Sequence, residues 1–114
     1  MIFYDFEVFE KDWLAVFIDV TNKKEHVIIN SPDKLKALYE ANRKDIWVGF
    51  NNRHYDQYIM KGILLGMNPK KINDWIIVDN KEGWQYSRAF NKLPMINYDV
   101  CLLYTSPSPR DRSV

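Results

Sequence analysis

The sequence predicts an α/β fold in which a mixed sheet of antiparallel and parallel strands carries flanking helices. Three segments rich in β-branched and aromatic residues follow one another near the N-terminus, and the short polar turns between them require antiparallel pairing. Segments of helical and strand periodicity then alternate, which is typical of a sheet with helices on its faces. The chain has 114 residues, of which 46% are hydrophobic, so it can bury the core of one domain.

The N-terminal strands are predicted over residues 2–9, 13–20 and 26–30. A helix is predicted next, over residues 32–43, because Ser31 and Pro32 are typical of an N-cap and a first helical turn. Leu35 and Leu38 then follow at helical spacing. Together these segments predict an antiparallel meander that leads into an amphipathic helix.

The second half of the chain predicts a strand over residues 46–50 and then a helix that begins at Asn51 or Asn52 and runs to about Leu65. Gly66 is the expected end of that helix. A last strand is predicted within residues 94–100, where apolar and polar residues alternate. This order predicts that parallel strands are added to the meander.

Asp5 and Glu7 interrupt the first predicted strand, whose other residues are aromatic or aliphatic. Side chains alternate along a strand, so the two acids point to one face about 7 Å apart, while Tyr4 and Phe6 point to the other. Carboxylates rarely occupy such positions without a partner, and two of them suit a divalent cation. Phe3 shares their face and favours shielding from solvent; the alternative is an edge strand with a solvated face.

Asp56 is the third candidate ligand, because it lies near the apolar stripe of the second predicted helix and its carboxylate is expected to face the sheet. With Asp5 and Glu7 it would give three acids from a strand and a facing helix, which could hold two hard cations. The alternative is a solvated aspartate paired with Arg53 or Lys61.

Two motifs resemble those of the DEDD (DnaQ-like) 3′–5′ exonucleases. Asp5-Phe6-Glu7 resembles their Asp-x-Glu motif, and Asn52-Arg53-His54-Tyr55-Asp56 resembles their second motif, which runs from an asparagine to an aspartate. Residues 4–9 and 48–58 are similar to the proofreading exonuclease region of phage-type DNA polymerases. The resemblance covers roughly residues 1–100 and implies a ribonuclease-H-like fold.

The resemblance also implies a reaction, the two-metal hydrolysis of the 3′-terminal phosphodiester of single-stranded DNA. Asp5, Glu7 and Asp56 would be the catalytic residues and would bind two Mg²⁺ or Mn²⁺ ions. The substrate-binding residues that it implies are Asn51, Asn52, Tyr55 and Phe6. Helix capping is the alternative role for the asparagines, and core packing is the alternative for Phe6.

The sequence departs from the family at the fourth acid, which a complete site takes from a Tyr-x3-Asp or His-x4-Asp motif on a later helix. Neither spacing occurs in this chain. Asp99 lies on a predicted strand without such an upstream Tyr or His, so we interpret it as a structural acid at a strand end. The chain as given is therefore expected to be inactive.

The predicted organisation is the N-terminal part of an exonuclease domain over residues 1–100, followed by a disordered tail over residues 101–114. The tail is rich in Ser, Pro and Arg, a composition that does not form a packed element. It resembles a translated adapter-derived scar; the alternative is a natural linker to another domain.

Charge, cysteine content and hydropathy limit the kinds of protein and the cellular compartment that fit this sequence. The net charge of +1 does not indicate a strongly basic nucleic-acid binder, and Cys101, the only cysteine, excludes an internal disulfide. Neither a signal peptide nor a membrane-length apolar run is present in the sequence. We expect a protein of the bacterial or phage-infected cytoplasm that acts on a single-stranded 3′ end of DNA, with no membrane partner. If the gene is full length, a polymerase domain is expected in the same chain.

Two other functions remain open at this stage, a non-catalytic ribonuclease-H-like module that binds nucleic acid and a stand-alone DnaQ-like ribonuclease. Residues 67–92 mix Lys and Arg with aromatic residues, which suits contacts with a single strand but also a solvated surface over a small aromatic core. In this segment Trp84 and Tyr86 are expected to pack.

Overall fold

The computed structural model describes residues 1–50 and 52–99, except for the side chains of residues 52 and 53. Its five strands are β1 (Ile2–Val8), β2 (Trp13–Asp19), β3 (Lys24–Ile29), β4 (Ile46–Gly49) and β5 (Ile96–Asp99). Its α-helices are α1 (Pro32–Ala41), α2 (Gln57–Leu64) and α3 (Pro69–Ile77). A π-helical turn over Asn52–Asp56 precedes α2, and two 3₁₀ turns follow α3, over Gly83–Gln85 and Arg88–Lys92.

The strands form one sheet in the order β3-β2-β1-β4-β5. β1 pairs antiparallel with β2, and β2 pairs antiparallel with β3, so the predicted meander is confirmed. β4 lies parallel to β1 on its other side, and β5 lies parallel to β4. The predicted fold class, a mixed α/β sheet with flanking helices, is therefore confirmed, and its arrangement is consistent with a ribonuclease-H-like fold.

The helix boundaries agree with the chemistry of their ends. The Ser31 hydroxyl accepts a hydrogen bond from the Lys34 amide at 3.3 Å and Pro32 opens α1, as the sequence predicts. After α2, Gly66 adopts a φ of +82°, which is accessible to glycine at little cost and ends the helix. Pro69, three residues after Gly66, is the first residue of α3, a helix that the sequence did not predict.

The core lies on one face of the sheet, between the strands and the helices. It contains the inward-facing aromatic residues of the central strands and apolar residues of α1 and α2. The rings of Tyr4 and Phe17 stack with centroids 6.1 Å apart, and the ring of Trp47 meets both of them edge-on. This aromatic cluster fixes the inward face of β1 and therefore also fixes which β1 side chains point outward.

The opposite face of the sheet is also apolar, but it is only partly covered in the described part of the chain. Its exposed side chains are Phe3, Ile18, Val27, Ile29, Ile96 and Tyr98. The expected shielding of the acids' face by Phe3 is therefore wrong for the described residues, since that ring is itself exposed. In the part of the chain that the structure describes, no helix is both long and apolar enough to span a bilayer.

Asp19, at the end of β2, is predicted to make folding stability depend on pH. Its carboxylate accepts hydrogen bonds from the Asn22 side chain at 2.7 Å and the Asn22 amide at 3.2 Å, and these bonds hold the pKa of Asp19 below its ordinary value. A depressed pKa stabilises the fold above the unfolded-state pKa, and this contribution is lost as the pH falls through the folded-state value. Asn22→Ala should therefore be less stable than the parent chain at neutral pH, and the gap should close in acid. Urea unfolding at several pH values measures this gap.

Asn91→Ala is the matched control, because Asn91 is an exposed asparagine in a different turn. It should show no pH-dependent gap. A gap for Asn22→Ala that is unchanged in acid would contradict the role given to Asp19.

Candidate functional site

The site starts from the outward face of β1. Asp5 is half-buried and Glu7 is exposed, whereas Tyr4 and Phe6, between and beside them, are buried on the inward face. The alternation inferred from the sequence is therefore confirmed. Two carboxylates lie on the same side of one strand, and the exposed Glu7 side chain is accessible to ligands in solution.

β1 extends beyond its parallel partner, and this overhang brings the third acid to the strand. The parallel pairing between β1 and β4 ends where Phe3 lies opposite Val48, so the segment of β1 that carries the acids continues past that pairing. There the Asp56 Oδ1 atom accepts a hydrogen bond from the Phe6 amide at 3.2 Å. Asp56 thus contacts the backbone of the one residue that separates Asp5 from Glu7.

Asp56 lies in a different environment from the other two acids. Its relative exposure is 0%, and its Oδ2 atom is buried as well. The carboxylate reaches β1 from the π-helical turn, in a protein interior where hydrogen bonds to a charged group are stronger than in water. The expectation that Asp56 faces the sheet agrees with this position.

The donor chemistry at this place suits a hard cation, because all three candidate groups are carboxylates. The arrangement of these carboxylates is less favourable to metal binding than their chemistry. Within residues 1–50 and 52–99, no group of three or more His, Cys, Asp or Glu side chains is arranged to hold a metal ion. The fold therefore brings Asp5, Glu7 and Asp56 to one stretch of β1 without gathering them into a ligand cluster.

The predicted substrate-binding residues have different positions. The Phe6 ring is 1% exposed and packs against Trp13 and Phe17, which supports core packing rather than contact with bases. Tyr55, within the π-helical turn, is also buried, and its hydroxyl donates to the Asn73 side chain on α3. Its part in binding substrate stays a prediction. Asn52 opens that turn, although its side chain is not described, and Asn51 lies outside the described residues.

A polar network that the sequence did not reveal lies on the inward face beside Asp56. The Tyr4 hydroxyl donates to Asn97 Oδ1 at 3.3 Å, and Asn97 Nδ2 donates to Gln57 Oε1 at 3.3 Å. The same Gln57 oxygen accepts from Lys61 Nζ at 3.0 Å, and burial lowers the pKa of Lys61. The network links β1, β5 and α2, and it could be found only once strands distant in sequence were placed side by side.

Asp99 ends β5 directly opposite Gly49. It is buried, and it lies at the same end of the sheet as the π-helical turn. The prediction that it is an acid at a strand end close to the site agrees with this placement.

A hollow of about 300 Å³ adjoins Asp5 on the outward face of the sheet. Its walls are mostly apolar, and the residues that line it include Phe3, Val16, Ile18 and Phe50. The hollow could take an apolar or flat group that ends next to a carboxylate. It places a recess beside the candidate acids, on the same face as Asp5.

Comparison with known proteins leaves the family undetermined. No protein-family model, no curated protein and no solved structure matches this chain. The exonuclease interpretation therefore depends on the motifs and on the geometry described above.

Asp56→Ala is predicted to destabilise the fold by about 1–3 kcal/mol, because the buried Phe6 amide would lose its acceptor. Asp56→Asn, which keeps a side-chain oxygen, should lose less. Urea denaturation of both variants measures the difference. The control is Asp74→Ala, which removes a solvent-screened ion pair with Lys70 and should destabilise the fold less than Asp56→Ala does. Equal stability of Asp56→Ala and the parent chain would show that this hydrogen bond does not hold α2 against β1.

Proposed function

We propose that this chain is part of a metal-dependent 3′–5′ exonuclease domain of the proofreading type, which acts on the single-stranded 3′ end of DNA in the cytoplasm. One observation carries the proposal. Asp56, the last residue of the second motif, contacts the backbone between Asp5 and Glu7, the acids of the first motif. Two motifs far apart in the sequence are therefore adjacent in the fold, as a shared site requires.

The residues can be given roles from their positions. Asp5 and Glu7 offer carboxylate oxygens on the accessible face of β1, where a phosphate and its counter-ions could approach. Asp56, held by the Phe6 amide, would contribute from the edge of β1 that its pairing with β4 leaves open. Two divalent cations at such a site would activate water and stabilise the charge that develops on the attacked phosphate.

The first test is metal binding by the 114-residue chain. Asp5→Ala and Glu7→Ala should each weaken Mn²⁺ binding at least tenfold, because each removes a charged oxygen ligand; titration calorimetry measures the dissociation constant. Glu25→Ala is the control, since Glu25 is an exposed acid on β3, two strands away from β1 in the sheet. Equal Mn²⁺ affinity in all four proteins would overturn the metal assignment.

The second test is hydrolysis in a version of the chain that extends through a Tyr-x3-Asp or His-x4-Asp helix. That version should shorten a 5′-labelled single-stranded DNA from its 3′ end in the presence of Mn²⁺, and Asp5→Ala should reduce the rate by several orders of magnitude. A gel of the labelled products measures the reaction. Shortening of RNA in preference to DNA would favour the stand-alone ribonuclease, and full activity of Asp5→Ala would reject the proposal.

A non-catalytic nucleic-acid-binding module is the second candidate, and one observation favours it. The Asp56 carboxylate has a structural use, since it accepts the Phe6 amide in the interior and so links the π-helical turn to β1. A chain that binds single-stranded DNA with the same affinity with and without Mn²⁺, and does not cleave it in the extended version, would fit this candidate better.

A further inference from the structure

Trp84 lies in an unexpected position. The sequence predicts that it packs, but its side chain is 61% exposed, so that prediction is wrong. The other tryptophans behave differently, because Trp13 and Trp47 are buried and Trp75 donates its indole N–H to the Glu82 carbonyl at 2.9 Å. Tyr86, the other residue expected to pack, is half-buried and contacts the rings of Trp75 and Phe90.

The turn that carries Trp84 is fixed against the body of the protein. Gly83 packs directly on the Tyr58 ring, so closely that a Cβ atom at position 83 would lie 2.2 Å from the Tyr58 Cδ2 atom. The Tyr86 amide closes the turn by donating to the Gly83 carbonyl at 3.0 Å. An exposed indole on an anchored turn loses little conformational freedom when a ligand stacks on it.

The same turn is adjacent to the segment that carries Asp56. Glu82, just before the turn, lies with its carboxylate 3.7 Å from the imidazole of His54. His54 precedes Asp56 by two residues, and Tyr58, on which Gly83 packs, follows it by two. The Trp84 turn therefore contacts the chain on both sides of the candidate acid.

Two cationic residues, Lys81 and Arg88, lie within four positions of Trp84 in the sequence. The Lys81 ammonium group is 4.2 Å from the centroid of the Trp75 ring, and Arg88 is exposed at the start of the neighbouring 3₁₀ turn. Glu82 supplies a negative charge here, but its carboxylate faces His54. An exposed aromatic ring flanked by cations is the combination that binds single-stranded nucleic acid, by stacking on a base and neutralising its phosphates.

We propose that Trp84 is a stacking platform for an unpaired base of a single-stranded nucleic acid that reaches the candidate site. The indole would stack on the face of one base, while Lys81 and Arg88 would contact the adjoining phosphates. The proposal rests on the proposed function only in choosing a nucleic acid strand as the partner. It makes Trp84 a substrate-positioning residue and gives it no part in catalysis.

The test measures how tightly the 114-residue chain and its variants bind a fluorescein-labelled oligothymidylate of about ten nucleotides. Fluorescence anisotropy in low salt with EDTA gives each dissociation constant. Trp84→Ala should bind the strand about tenfold more weakly, and Trp84→Phe should recover most of the loss, because it restores an aromatic face. An abasic strand of the same length should bind the parent chain and Trp84→Ala with equal affinity. Val78→Ala is the control, since Val78 is 71% exposed but lies at the end of α3.

Each outcome decides the proposal. The proposal is overturned if Trp84→Ala binds the strand as tightly as the parent chain, or if the parent chain does not bind the strand. It is also overturned if Trp84→Ala loses as much affinity for the abasic strand, or if Val78→Ala loses as much affinity as Trp84→Ala. EDTA removes divalent cations from the assay, so the result does not depend on the metal assignment and the two proposals can fail separately. Loss of the metal assignment with Trp84-dependent binding intact would remove the exonuclease proposal alone, and the reverse result would remove the stacking platform alone.

Discussion

The hydrogen bond from the Phe6 amide to Asp56 is the interaction on which the candidate site depends. It joins β1 beyond its pairing with β4 to the turn that begins the second helical segment, and both partners are buried. Because the acceptor is a carboxylate in the protein interior, its loss would leave a buried amide to be satisfied in another way. The same contact brings the end of the second motif to the residue between the acids of the first.

The two faces of β1 have different roles, one in packing the core and the other in presenting the candidate acids. The inward face holds Tyr4 and Phe6 in an aromatic cluster that stabilises the sheet, and the outward face presents Asp5 and Glu7 beside an apolar hollow. Packing on one side therefore positions chemistry on the other, because alternation along a strand leaves no other orientation for the acids.

The segment after α2 contacts the residues around Asp56 and could contribute to holding a substrate. It contains the unpredicted helix α3 and two 3₁₀ turns, and it returns to the residues around Asp56 through contacts of Gly83 with Tyr58 and of Glu82 with His54. The turn that carries Trp84 thus contacts the residues on both sides of the candidate acid. The proposed roles of Trp84 and of the acids concern one region of the molecule, yet they depend on different interactions.

The sequence by itself determined the order of the strands along the chain, the antiparallel meander, the start of α1, the end of α2 before Gly66 and the shared face of Asp5 and Glu7. These features depend on local periodicity, turn length and capping, which act over a few residues. The sequence did not determine the start of α2, because a helix was predicted from Asn51 or Asn52 and a π-helical turn occupies Asn52–Asp56. Only the tertiary structure decided the contact between Asp56 and Phe6, the network of Tyr4, Asn97 and Gln57, and the exposure of Trp84. Those features depend on which distant segments become neighbours, and local preferences carry no information about such pairs.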